Sequence, residues 1–107
     1  MAFQVELSAQ ATQDIEEHYV WIQERSPAAA EKWFNGIMIA IDTLKDFPER
    51  CSKIPEQDSF TQEVRHFIYQ KHRIIFTVQN SIVYILAVRH TARKPLENED
   101  LEEVLEN

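Results

Sequence analysis

The sequence predicts an α+β domain: a short N-terminal strand and a two-helix hairpin packed on an antiparallel sheet, with a three-stranded C-terminal meander. Three observations predict it. Apolar residues recur at helical spacing in the first half, β-forming residues crowd the second half, and the connections within that second half are too short for parallel neighbours.

Phe3, Val5 and Leu7 alternate with polar residues, the period-2 mark of a strand with one buried face. Ser8 then serves as N-cap for a helix whose stripe is Ala11, Ile15, Tyr19 and Ile22. A second helix starts at Ser26-Pro27, with serine as cap and proline where a missing N–H does no harm. Its stripe is Ala30, Trp33, Phe34, Ile37, Ile41 and Leu44. Phe47-Pro48 ends it, because the residue before proline is pushed out of the right-handed helical region. Residues 49–61 are polar, contain Pro55 and show no periodicity, so a loop is expected.

Strands are expected at 64–69, 73–78 and 82–88, separated by Gln70-Lys71-His72 and Gln79-Asn80-Ser81. The helical stripes should lie on one sheet face, with Trp33, Phe34 and Phe76 in the core at roughly 2 to 3 kcal/mol each. Beyond Pro95, Leu101, Val104 and Leu105 share one helical face among acids, the pattern of a short amphipathic helix or a frayed tail.

One domain accounts for 107 residues. No apolar run approaches the roughly 20 residues needed to cross a bilayer, and the start has neither the basic flank nor the apolar core of a signal segment. A cytoplasmic protein that does not engage a membrane is expected. Cys51 is the single cysteine and is expected as a reduced thiol. Gly36 is the single glycine, so a glycine-rich phosphate cradle is excluded; no zinc spacing or nucleophile elbow occurs, and neither cofactor nor metal is expected.

The net charge of −7 hides a segregation along the chain. Residues 1–64 carry −7, residues 65–94 carry +6 with no acid, and residues 95–107 carry −6 with no base. A basic segment with His66, His72 and His90 can face phosphate or an acidic partner even on an acidic protein.

Several stretches carry a more specific likeness. They are Val5-Glu6-Leu7-Ser8 with Ala11 and Asp14-Ile15, Trp33 and Ile37 leading to Leu44 and Phe47-Pro48-Glu49-Arg50, His72-Arg73-Ile74-Ile75-Phe76, and the run from Ile85 to Arg93. In this order and spacing, over residues 3 to about 94, the chain resembles the RelE/ParE superfamily of toxins from type II toxin–antitoxin systems. The resemblance implies a toxin domain at 1–96, with the acidic tail at 97–107 outside the shared pattern. It also implies growth arrest, plasmid stabilisation and a hetero-oligomer with a cognate antitoxin.

RelE-like members cleave messenger RNA on the ribosome, whereas ParE-like members block DNA gyrase without a known catalytic centre. Cleavage needs a base, an acid and cations for the developing charge. Arg73 matches an arginine that cleaving members use, Arg65 looks like a ParE-type arginine, and His66, His72 or His90 could move protons. For a nuclease the candidates are therefore Arg73, Arg65 and His90. Against it, the last tyrosine is Tyr84, inside a strand, and Gln62-Glu63-Val64-Arg65-His66 lacks the lysines of RelE-like enzymes. The ParE-like branch is favoured, with gyrase as target, ribosome and mRNA as the alternative, and an inactive domain that only pairs with its antitoxin as a third. Arg65, Arg73, Arg89, Arg93 and Lys94 are candidate contacts for target or antitoxin, joined by Trp21 as an exposed aromatic anchor. Tail residues 97–107 could mask the basic rim or simply solvate the chain.

Overall fold

A computed structural model describes residues 2–92. Arg93, Lys94 and the expected acidic tail helix lie outside the described residues. The order is β1 (Gln4–Leu7), α1 (Ala9–Gln23), α2 (Pro27–Asp42), β2 (Arg65–Tyr69), β3 (His72–Gln79) and β4 (Ile82–His90). One four-stranded sheet runs β1-β4-β3-β2. It is antiparallel except at β1, which joins β4 in parallel after the chain has crossed over through both helices.

Both helix starts are the expected caps: Ser8 Oγ accepts from the Ala11 amide at 2.9 Å and Ser26 Oγ from the Ala29 amide at 3.2 Å. The Ser8 hydroxyl also donates to the Leu86 carbonyl at 2.9 Å, tying the start of α1 to β4. After α2 a 3₁₀ turn, Thr43–Lys45, carries the chain to Phe47, which takes a left-handed conformation (φ 48°) before Pro48.

Ala11, Ile15, Trp33, Ile37, Ile41 and Leu44 pack on Ile74, Phe76, Val83, Ile85 and Val88 of the sheet. Phe34, expected in this core, is 38% exposed and meets Tyr19 edge-on at the surface. Neighbouring helical residues point about 100° apart, so Trp33 and Phe34 cannot both face the sheet. Gly36 sits where α2 passes over Tyr69, and a Cβ there would run into the tyrosine hydroxyl.

Residues 49–61 form a loop, as expected, but one with an apolar function. Ile54 and Phe60 are buried and, with Val64, Ile75, Leu86 and Ala87, make a second cluster on the sheet face away from the helices. Gln57 holds the loop's shape, its side chain donating to the Gln62 carbonyl at 2.6 Å and accepting from the Val64 amide at 2.8 Å. Among the described residues no helix is long and apolar enough to cross a membrane.

β3 and β4 both run longer than expected, which pairs His72 with His90 and Arg73 with Arg89. Between them lies a bulge: Ile75 pairs with Ala87 and Phe76 with Ile85, so Leu86 is the extra residue. A single inserted residue reverses which side chains face which side. Val83 and Ile85 face the helices before the bulge and Val88 after it, so His90, not Arg89, continues on the helix side.

Candidate functional site

Where α1 and α2 approach the His72–His90 end of the sheet, a cleft of about 860 Å³ opens. From α1 it takes Asp14, Glu17, His18, Trp21 and Ile22, residues three and four apart and hence on one side of the helix. From α2 come Ala29 and Trp33, one turn apart; the sheet supplies His72, Val88 and His90, and the β2–β3 turn supplies Gln70 and Lys71. The Asp14 carboxylate accepts the Val88 amide at 2.9 Å, fixing the helix to the strand just past the bulge.

Rings line this cleft. His72 stands edge-on to His18 (centroids 4.3 Å), to His90 (5.2 Å) and to Trp33 (5.4 Å). His18 meets Trp33 edge-on at 4.7 Å and stacks with Trp21 at 5.5 Å. Trp21 is 52% exposed and is overlaid by the Arg25 guanidinium, 3.8 Å from its ring centroid. Burial holds the His72 pKa down, reinforced by the charges of His18 and His90, to about 4. Burial likewise lowers that of His18, with His90 adding to it. Both are therefore neutral at physiological pH. Of the residues lining the cleft, two carry buried nitrogens, Trp33 Nε1 and His72 Nδ1, with no hydrogen-bond partner among the described residues. No group of three or more His, Cys, Asp or Glu there is placed to hold a metal ion.

The arginines singled out by sequence lie elsewhere. Arg73 points to the loop-covered face, where Nη1 and Nη2 each donate to the Glu56 carboxylate at 2.9 Å and Nε donates to His66 Nδ1 at 3.0 Å. Both charged side chains are nearly buried, at 11% and 10% exposure. Burial lowers the His66 pKa, the neighbouring Arg73 lowers it further, and Glu56 opposes them. Arg89, the cross-strand partner of Arg73, is also buried.

Arg65 opens β2, paired with Phe76 in the middle of β3, and donates to the Cys51 carbonyl and the Glu63 carboxylate. It is four pairs from the His72 row, roughly 13 Å at about 3.3 Å per residue. Arg73, Arg65 and His90 are thus not brought together: Arg73 and His90 lie on opposite faces, and Arg65 lies four rows away. His72, His90 and Trp21 are brought together, joined by His18, which sequence reasoning passed over. Its only signal was its place three residues before Trp21 on α1, beside the apolar stripe.

A family model described as the ParE toxin of type II toxin-antitoxin system, parDE, matches residues 5–95. No curated protein matches. Among solved structures, the chain is similar to a chain of the chromosomal ParDE TA system from P. aeruginosa. The two are 17% identical with a TM-score of 0.66, over 83% of this chain and 96% of that one.

Proposed function

The chain belongs to the ParE toxin family of type II toxin–antitoxin systems, and from that premise we propose that it arrests growth by binding, not by cutting. It holds an essential cytoplasmic target such as DNA gyrase, and a cognate antitoxin neutralises it in a hetero-oligomer. The observation that carries this reading is the closed ion pair of Arg73. A nuclease of this scaffold needs a guanidinium free to take a phosphate; here both of its terminal nitrogens already engage Glu56 in a nearly buried, two-pronged pair. Arg65 is likewise committed to the loop carbonyls and Glu63.

The cleft supports the same reading from the other side. An exposed indole on a helix, beside imidazole rings and apolar walls, is the composition of a protein-binding anchor. Messenger-RNA cleavage is favoured by one observation alone, the gathering of three imidazoles at one end of the sheet; it would have to run without Arg73.

Induction of the chain without its antitoxin separates the two. Transcript 5′ ends on ribosomes and the supercoiling of a reporter plasmid are followed in the same cells. Intact transcripts with altered supercoiling or DNA damage are expected, and coexpression of the neighbouring gene should rescue growth. Codon-positioned cuts that vanish on His72→Ala or His90→Ala would replace this reading with the nuclease. Unimpaired growth would leave a domain that only pairs with its antitoxin.

A further inference from the structure

We infer that the cleft between α1, α2 and the His72–His90 row is a socket for a primary carboxamide, an Asn or Gln side chain carried on an apolar segment of the antitoxin. This rests on the toxin–antitoxin reading and deepens it by naming the chemistry that the cleft accepts.

Buried polar atoms in folded proteins almost always have partners, and those without one mark places where a partner is supplied from outside or a cost is carried. Two such atoms belong to residues that line this cleft. Trp33 Nε1 is a donor only, so whatever satisfies it must bring an acceptor oxygen. His72, 6% exposed, offers Nδ1, which in a neutral ring is a bare acceptor or a single donor. The two rings are 5.4 Å apart between centroids. A primary carboxamide carries an acceptor oxygen and an N–H₂ donor side by side. It can take the indole proton with one and give a proton to the imidazole with the other.

Charge decides between an amide and a carboxylate. The titratable groups facing the cleft are Asp14, Glu17 and His18 from α1, His72 from β3, His90 from β4 and Lys71 from the turn; α2 contributes only Ala29 and Trp33. Lys71 and the Arg25 guanidinium over Trp21 stand against Asp14 and Glu17, so the cleft offers an arriving carboxylate no net attraction. A Glu or Asp would give up its hydration there without return, whereas an amide has no charge to desolvate. Ile22, Ala29, Val88 and the half-exposed Trp21 supply apolar wall for the residues beside the amide.

Both tryptophans of the chain line the cleft, so indole signals report on it directly. Propionamide and propionate are the probes, each titrated at neutral pH into nitrogen-15-labelled protein; the indole cross-peak absent from Trp33→Phe belongs to Trp33. Propionamide should move that cross-peak downfield in a saturable way and propionate should not. A shift with propionate alone, or with neither, overturns the inference.

With the antitoxin, Trp33→Phe should weaken binding about tenfold, the scale of one lost hydrogen bond. One Asn or Gln of the antitoxin changed to Leu should do the same, and the two changes together should cost no more than either. If the complex forms and is indifferent to all of these, the carboxamide socket falls while the toxin–antitoxin reading stands. Failure of that reading looks different: the neighbouring gene's product then does not bind the unaltered chain at all, and the assignment of the amide to an antitoxin falls with it.

Discussion

The two faces of the sheet are closed by different means, and the contrast separates scaffold from surface. Under the loop, the Arg73 guanidinium is answered from within the chain by Glu56 and His66, and Thr77 donates to the Glu63 carbonyl at 2.9 Å. Under the helices the core is apolar along most of its length, but it ends in an open cleft whose indole and imidazole nitrogens are left without partners. Local satisfaction of polar groups is what a fold needs to hold itself together. An unpartnered indole donor and imidazole nitrogen in residues that line a cleft, beside an exposed tryptophan, are what recognition needs.

If the loop face is truly scaffold, its largest test is Phe60→Ala. Phe60 anchors a cluster built from a segment without periodic pattern, and deleting a buried aromatic typically costs about 3 to 5 kcal/mol. Denaturant unfolding measures it. A loss near zero would mean that the loop only rests on the sheet.

Next comes Glu56→Gln, which keeps the shape but leaves the Arg73 guanidinium nearly buried without its carboxylate. Breaking a pair of this kind costs about 3 kcal/mol. Glu56→Gln with Arg73→Met should recover much of the loss, since replacing both partners removes the stranded charge. Growth arrest per folded molecule should survive the double change. If it disappears while the unfolding midpoint recovers, Arg73 acts on a target and the division between the faces is wrong.

Much of this architecture was legible in the sequence, and what was not has a common cause. The caps at Ser8 and Ser26, both helical stripes and the three strands follow from local patterns, and local patterns survive into the fold. Phe34 fails because a stripe read too broadly ignores the 100° step between neighbours. The contribution of Ile54 and Phe60 to the core, the Glu56–Arg73 pair and the parallel docking of β1 on β4 join residues far apart in sequence, and no periodicity encodes them. The choice between Arg89 and His90 for the cleft turns on a single bulge at Leu86, invisible in a run as uniformly apolar as residues 82–88. Hence the candidate residues on sequence were nearly all basic, while the cleft is walled largely by indole and imidazole rings.

The neutral rings also predict how the helix face responds to acid. His72 has a folded pKa of about 4 against an ordinary 6.5. Because the unfolded chain takes the proton more readily, this contribution to stability is intact above about pH 6.5 and is lost as pH falls toward 4. The slope is about 1.4 kcal/mol per pH unit for one proton. Unfolding free energies measured between neutral pH and pH 4 should fall with at least this slope, and the slope should drop by about this amount in His72→Phe. A slope unchanged by that substitution would mean that His72 is wetter than the cleft geometry implies.

The smallest effect on stability should come from Trp21→Ala, and there the comparison is sharpest. Half of that indole already faces solvent, and its main attachment is the Arg25 guanidinium laid over it. An exposed pair of this kind is worth about 0.5 to 1 kcal/mol, so the unfolding midpoint should barely move. A residue that the fold hardly needs can still dominate a partner's affinity, because an indole buried on complex formation brings a large apolar area at little conformational cost. Antitoxin binding should therefore weaken by about ten- to a hundredfold, the range of a hot-spot tryptophan. Glu56→Gln inverts this signature, with a large loss of stability and unchanged affinity among the molecules that remain folded. If instead both substitutions lower stability and affinity in proportion, the two faces are one cooperative unit and the cleft owes its shape to the ion pair beneath the sheet.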